Sequence, residues 1–248
     1  MVVLDFFLRK ASQYQNTAKP IHTLPNIKNK SCILIGQGPS LLSHLQAINQ
    51  SVSLNESIVF ACNTYFNCKN GDLPIPNFYV LGDPVFQNDE YLTNLTEIFS
   101  SIVNKYPGIN FLTSSDIAKH IYLKLLPTNS SPCRIIYAPF GDHLIQNTYS
   151  FRLDINIEPY QNVLLLMIQF AVYLGFTDLH LYGFDLTMSH NPLIRSSQYF
   201  DQACPYKWAV KPIRSPEQIT YANNLLDHQI SLCLKSAFCK GVKVIRYS

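Results

Sequence analysis

Residues 31–41 read Ser-Cys-Ile-Leu-Ile-Gly-Gln-Gly-Pro-Ser-Leu. A short apolar strand here runs directly into a turn with two glycines and then into a helix start. The N–H groups at a helix start carry the positive end of the helix dipole and favour a phosphate. The stretch therefore predicts an α/β fold with a nucleotide on the turn, although an ordinary strand-to-helix turn remains the alternative. The turn residues are Gly36, Gln37, Gly38, Pro39 and Ser40.

The composition fits one large domain. The chain has 248 residues, of which 47% are hydrophobic and 14% charged, so it can bury a full core. The net charge of +3 is small and the basic residues are dispersed, which argues against nucleic acid as a partner. We expect an N-terminal lead and helix at residues 1–30 and a single nucleotide-sugar-binding α/β domain at residues 31–248.

The cysteines and the N-terminus indicate the cell compartment. Seven cysteines make an odd number and show neither a close Cys-x-x-Cys pair nor zinc spacing, which favours buried thiols in a reducing cytosol. The N-terminus is a poor signal peptide, and no apolar run reaches the roughly 20 residues of a spanning helix. The sequence thus predicts a cytoplasmic protein. Peripheral association with the inner face of the inner membrane, through apolar residues 6–8, is left open.

Short apolar runs alternate with helix-period stretches along the chain. This alternation predicts a doubly wound, mostly parallel, Rossmann-like sheet. The predicted strands are Cys32–Ile35, Ile58–Cys62, Phe78–Leu81, Ile109–Leu112, Arg134–Tyr137, Asp178–Tyr182 and Val242–Ile245. The predicted helices are Leu41–Asn49, Asp89–Tyr106, Ser115–Leu126, Gln161–Leu174 and Pro216–Lys240. The long polar stretch Thr187–Arg214 is predicted to be an active-site lid.

Ligands of such sheets bind beyond the carboxyl ends of the strands, so residues that follow a strand are the candidates for binding. The Asn63 amide suits a base or ribose edge, and the Asp83 carboxylate can accept hydrogen bonds from ribose hydroxyls. Turn formation alone is the alternative for each of them. The binding candidates beyond the first turn are Asn63, Thr64, Asp83, Gly183 and Phe184.

Four blocks together resemble a known family. Gly36–Leu41, Val59–Asn63, Phe78–Pro84 and Leu174–Asp185 are similar in order and spacing to blocks of the small bacterial sialyltransferases that modify lipooligosaccharide. The Gly-Phe-Asp block also occurs in related Rossmann-like proteins, among them flagellin-modifying accessory proteins and a pterin pyrophosphokinase.

The resemblance implies a sheet of the glycosyltransferase-A-like type and a CMP-activated donor, CMP-sialic acid or a related keto-sugar. The cytidine monophosphate would lie on the glycine turn and Asn63. The acceptor would be a galactose-containing bacterial surface glycan, as an oligosaccharide or linked to a lipid. The resemblance also implies activity without a metal ion, and this chain has no Asp-x-Asp pair. No cofactor is expected beyond the donor substrate, and a homo-oligomer remains open.

The catalytic residues are less well defined, because the family's catalytic His falls on Arg214-Ser215 here. Sugar transfer needs a base for the acceptor hydroxyl and cations or hydroxyls for the leaving phosphate. Lys211 is a further candidate for stabilising the phosphate, and His143 is a further candidate base. The principal catalytic candidates are Asp185, His190, Tyr199, Asp201, Arg214 and His228.

Two other functions remain as alternatives. A pyrophosphokinase or phosphotransferase on the same fold would hold Mg²⁺ on carboxylates, for which Asp83 and Asp185 are suitably placed. A degenerate nucleotide-binding accessory protein of polysaccharide assembly would explain the absence of the family's His.

Overall fold

The computed structural model of the chain describes residues 18–24, 27, 31–36, 38, 40–55, 57–62, 65, 73–82, 106, 108–118, 134–139, 148–157, 162–184 and 216–247. Its strands are β1 (Ala18–Pro20), β2 (Ser31–Ile35), β3 (Ile58–Cys62), β4 (Phe78–Leu81), β5 (Asn110–Ser114), β6 (Arg134–Ala138), β7 (Asp178–Tyr182) and β8 (Lys243–Tyr247). Its helices are α1 (Leu41–Asn55), α2 (Val163–Tyr173) and α3 (Pro216–Cys239), with a short 3-10 turn at Ile21–Thr23.

The strands form one sheet in the order β1-β6-β5-β4-β3-β2-β7-β8. Every pairing between them is parallel. From β2 the chain steps outward through β3, β4, β5 and β6, and then returns to place β7 and β8 on the other side of β2. The strand order therefore reverses at β2 and β7, which is the switch point where doubly wound sheets bind ligands. The predicted α/β fold class is confirmed.

The sheet is covered on both faces, as parallel sheets require. Alternate residues of β2 separate the two cores, because successive side chains of a strand point to opposite faces. Cys32 and Leu34 belong to the core on the α2 face. Ile33 and Ile35 belong to the core on the α1 face. The burial of both faces explains why β2 reads as a continuous apolar run.

Helix α2 is buried all round, since every residue from Leu164 to Val172 is buried. It begins at Asn162, whose side chain accepts a hydrogen bond from the Leu164 N–H at 2.9 Å. The helix lies over β2, β3 and β4 and also contacts α3. Helix α2 therefore packs against the central strands on one face of the sheet, and α1 covers the same strands on the opposite face.

All seven predicted strands are present, with ends that differ by up to two residues from the prediction. The additional strand is β1, which pairs with β6 at the edge of the sheet. The predicted helix at Leu41–Asn49 continues to Asn55, and the other two described helices match within two residues. Residues 115–118 begin a helix, as predicted, whereas its remainder, the predicted helix Asp89–Tyr106 and the predicted lid Thr187–Arg214 lie outside the described residues, apart from Tyr106.

Candidate functional site

Two glycine turns meet at the switch point. The Gly36 N–H donates to the Tyr182 carbonyl at 2.8 Å, and the Gly38 N–H donates to the Gly183 carbonyl at 2.8 Å. The first bond continues the ladder between β2 and β7, and the second links the turns beyond the strand ends. The predicted turn is thus held in place by the neighbouring strand as well as by its own chain.

The two turns are too close for side chains at the contact. A Cβ on Gly36 would lie less than 3.0 Å from the Gly183 carbonyl oxygen. A Cβ on Gly183 would lie 2.8 Å from the Gly36 carbonyl oxygen, and Gly183 also has a positive φ of 67°. Only glycine satisfies both conditions, because it lacks the Cβ that would clash and tolerates positive φ. The backbone at the switch point is therefore free of side chains at these two positions.

Helix α1 begins directly after the first turn. The Leu41 N–H donates to the Gly38 carbonyl at 3.1 Å. The Ser43 hydroxyl donates to the Ser40 carbonyl at 2.7 Å. The helix start, with the positive end of its dipole, therefore lies at the carboxyl edge of the sheet, next to the paired glycine turns.

A group of aromatic rings lies on the β7 side of this helix start. It consists of His44, His180, Tyr182 and Tyr247, which we call the His-Tyr cluster. The Tyr182 and Tyr247 rings stack with centroids 4.2 Å apart and an interplanar angle of 4°. The His44 ring lies 5.7 Å from the Tyr182 ring and 6.3 Å from the Tyr247 ring. The cluster joins α1 to the ends of β7 and β8.

Each histidine of the His-Tyr cluster has a hydrogen-bond partner. His44 Nδ1 lies 2.9 Å from the Ser40 carbonyl oxygen. His180 Nδ1 lies 2.9 Å from the Tyr247 hydroxyl. Burial lowers the pKa of His180 below its ordinary value of 6.5, although the nearby Asp178 carboxylate acts in the opposite direction. His180 therefore favours the neutral imidazole, which can accept the Tyr247 O–H.

A thiol at the strand end that precedes the first glycine turn is not a nucleophile. Cys62 ends β3, and its Sγ lies 3.9 Å from the Ile35 carbonyl oxygen. Burial raises the pKa of this thiol to about 12. Since the thiolate is the reactive form of cysteine, Cys62 is unreactive and serves as a packing residue.

The structure describes six of the predicted site residues. Four of them come together at the switch point: Gly36, Gly38, Ser40 and Gly183. The Phe184 side chain is only 1% exposed and packs in the core on the α2 face, so only its backbone can face a ligand. His228 is exposed on α3, about 18 Å along the helix from its first residue.

Most of the predicted catalytic residues, and part of the predicted binding set, lie outside the described residues and stay predictions. They are Gln37, Pro39, Asn63, Thr64, Asp83, His143, Asp185, His190, Tyr199, Asp201, Lys211 and Arg214. Within the described ranges, no group of three or more His, Cys, Asp or Glu side chains is arranged to hold a metal ion. The same ranges contain no helix that is both long and apolar enough to cross a membrane.

The sequence interpretation missed the His-Tyr cluster. Its one visible signal was a histidine four residues after Ser40, at the spacing that lets a side chain reach back to a carbonyl at a helix start. The cluster's other members come from β7 and β8, and their approach to α1 depends on the strand order.

Residues 7–191 match the family model described as MptE-like, "6-hydroxymethylpterin diphosphokinase MptE-like". The chain belongs to this MptE-like family. The match spans the glycine turn, β7 and Gly183, and so includes both halves of the switch point. The sequence had indicated this group through the Gly-Phe-Asp block, and that prediction is confirmed.

Among solved structures, the MAf glycosyltransferase from Magnetospirillum magneticum AMB-1 aligns at 16% identity and a TM-score of 0.47. That alignment covers 68% of this chain, which spans only 25% of the length of the MAf chain. The sialyltransferase CstII from Campylobacter jejuni, solved with the substrate analogue CMP-3FNeuAc, aligns at 16% identity and a TM-score of 0.38. The alignment covers 87% of this chain and 85% of the CstII chain. No curated protein matches the chain in sequence.

Proposed function

We propose that this MptE-like protein is a transferase that binds the phosphate of a nucleotide at the switch point and uses a CMP-activated sugar as donor. The proposal depends on the backbone contact between Gly36 and Gly183, which holds the first glycine turn and the start of α1 at the carboxyl edge of the sheet, at the switch point. A helix start in this position favours a phosphate, because its N–H groups carry the positive end of the helix dipole.

The sugar part of the proposal rests on the sequence blocks that resemble the small sialyltransferases. In the proposed reaction an acceptor hydroxyl oxygen attacks the anomeric carbon of sialic acid or a related keto-sugar. The bond from that carbon to the phosphate oxygen breaks, and CMP leaves with the electron pair. The acceptor is a galactose-containing bacterial surface glycan, and the chain's own groups take up the hydroxyl proton.

The positive end of the α1 dipole acts on the leaving group in this reaction. Negative charge grows on the phosphate as the bond breaks, so a fixed dipole beside it stabilises the transition state more than the ground state. Tyr199, Lys211 and Arg214 are the candidates to add hydrogen bonds or positive charge from the stretch 187–214. No metal ion takes part in the proposed transfer.

Membership of the MptE-like family favours a second candidate function. The family's description names a 6-hydroxymethylpterin diphosphokinase. On this alternative, an acceptor hydroxyl attacks the β-phosphorus of ATP, AMP leaves, and Mg²⁺ is required. Asp83 and Asp185 would then be metal ligands, a role that carboxylates suit.

Thermal unfolding with a panel of nucleotides separates the two candidates. CMP, CDP, UDP, GDP and ATP are each added with and without Mg²⁺. A ligand that binds only the native state stabilises it by about 2.7 kcal/mol at 100 times its Kd. We expect CMP to raise the unfolding midpoint in EDTA. Stabilisation by ATP alone, and only with Mg²⁺, would favour the diphosphokinase.

The position of the nucleotide is tested with a pair of glycine variants. Gly38→Val places a branched side chain on the turn, and we expect the affinity for CMP to fall at least tenfold. Gly108→Val is the matched control, because a Cβ at Gly108 has no neighbour within 4 Å. It should retain the wild-type affinity within twofold. Equal affinity of both folded variants would contradict this placement.

A further inference from the structure

His44 is the histidine of the described chain that lies in the first turns of α1, beside the glycine turns. Its Nδ1 is 2.9 Å from the Ser40 carbonyl oxygen, which can only accept a hydrogen bond. The proton of the neutral ring is therefore on Nδ1, and the lone pair is on Nε2. The Ser43 oxygen, 3.3 Å from the same Nδ1, does not change this assignment, because its own proton goes to Ser40.

The rings around His44 fix its position. Tyr182 and Tyr247 bring two stacked rings from the ends of β7 and β8 against the imidazole. Tyr247 is itself held by its hydroxyl contact with His180, and their rings stack at 5.9 Å. The imidazole is thus held from the helix by one hydrogen bond and from the sheet by aromatic contacts, which is the support that a reactive side chain needs.

The location of His44 relative to the switch point decides which substrate it would meet. β3 and β4, the strands that precede the candidate nucleoside-binding residues Asn63 and Asp83 in the sequence, lie on one side of β2. His44 lies on the other side of β2, next to Tyr182, the residue before Gly183. A nucleotide with its phosphate on the glycine turn and its nucleoside over β3 would direct its transferred group toward β7, so that an acceptor would approach that group from the β7 side.

We infer that His44 is the general base of the transfer reaction and that the acceptor hydroxyl binds beside its Nε2, at the carboxyl edge next to Tyr247, which is less buried than Tyr182. The inference rests on the proposed function. It assigns the base to a histidine outside the stretch 187–214 and replaces the family histidine that this chain lacks at Arg214-Ser215.

The acceptor O–H proton passes to His44 Nε2, the oxygen forms the new bond, and the nucleotide leaves with the electrons of the broken bond. The imidazolium then carries the positive charge, and its Nδ1–H keeps the bond to Ser40. The same step serves sugar transfer and diphosphoryl transfer, because both acceptors are hydroxyls.

The test compares two histidine-to-asparagine variants in the full chain. His44→Asn can keep a donor near the Ser40 carbonyl but has no basic nitrogen. His22→Asn is the matched control, because His22 is exposed beside β1, at the opposite edge of the sheet. Turnover is measured with CMP-sialic acid and a galactose-terminated acceptor in EDTA, and with ATP, Mg²⁺ and 6-hydroxymethylpterin. Donor affinity and thermal unfolding are measured for each variant.

General bases contribute about 10² to 10⁴ to a rate, so we expect kcat of His44→Asn to fall at least 100-fold. Donor affinity should stay within threefold, and His22→Asn should match the wild type. In His44→Ala, added imidazole should restore kcat at least tenfold. A His44→Asn kcat within threefold of wild type overturns the inference, and so does an inactive His44→Ala that imidazole does not restore. A folded wild type that turns over neither donor overturns the proposed function as well.

Discussion

Gly183→Ala tests the contact between the two turns on which the candidate site is built. The substitution adds one methyl group to a residue with a φ of 67°. The new Cβ would lie 2.8 Å from the Gly36 carbonyl oxygen and 3.2 Å from the Leu41 Cβ. The first neighbour is backbone held in the β2–β7 ladder, so it cannot move aside as the end of a flexible side chain could.

Two costs add at this position. A left-handed backbone costs an alanine about 1–2 kcal/mol. Forcing a methyl group into a filled space costs about 1–3 kcal/mol more. The variant should therefore lose about 2–5 kcal/mol of its free energy of unfolding. Gly241→Ala isolates the first cost, because Gly241 has a φ of 76° but nothing within 4 Å of an added Cβ. It should lose about 1–2 kcal/mol.

Unfolding is induced with urea at 25 °C and monitored by circular dichroism. The m values of the variants are compared, because a shift of the unfolding midpoint reports a change in stability only when the m value is unchanged. Gly108→Ala, in open space, serves as the second control and should stay within about 0.5 kcal/mol of wild type. If Gly183→Ala and Gly241→Ala lose the same free energy within about 0.5 kcal/mol, the steric contact at the switch point is refuted. A larger loss for Gly183→Ala supports the close backbone contact between the two glycine turns.

Asn162→Ala removes the side chain that caps α2 and should lower the unfolding free energy by about 1 kcal/mol, measured by urea denaturation. The pKa of His180 is lower in the folded state than in the unfolded state, mainly because the side chain is partly buried. The neutral His180 side chain therefore contributes to stability above the unfolded pKa of about 6.5, and this contribution is lost as the pH falls below that value. Unfolding free energies measured from pH 7.5 to 5 should fall less steeply in His180→Gln, and an unchanged slope would contradict this. Iodoacetamide should label Cys239 in the native state and the buried thiols of Cys32, Cys62 and Cys233 only after denaturation, as peptide mass spectrometry would show.

The strands that cross the core could be predicted from the sequence because burial on both faces leaves a continuous apolar run. β3 and β4 have the predicted bounds for this reason. β1 could not be predicted in the same way, since Ala-Lys-Pro contains no such run. It is extended because its three residues pair with Ile135, Ile136 and Tyr137 of β6, a contact distant in sequence.

The bounds of β8 differ from the prediction for a related reason. The apolar pattern ends at Ile245, whereas the strand continues through Arg246 to Tyr247. The register pairs Tyr247 with Tyr182, so that the two rings stack at 4.2 Å. Pairing with β7 thus extends the strand beyond its apolar residues, and this extension brings the Tyr247 ring to the carboxyl edge.

The same dependence on strand order explains why the sequence indicated one half of the candidate site and missed the other. The glycine turn is local: strand, turn and helix start follow one another between Ser31 and Leu41, and their chemistry can be seen in the sequence. The His-Tyr cluster joins His44 of α1 to residues of β7 and β8 that are more than 130 residues further along the chain. A sequence pattern identifies these strands but does not say that β7 pairs with β2 and β8 with β7. The sequence alone leaves the base among His143, His190 and His228 or the carboxylates of Asp185 and Asp201. Once the order β2-β7-β8 is known, His44 lies at the carboxyl edge beside Tyr182, where it can serve as the base on the acceptor side of the proposed reaction.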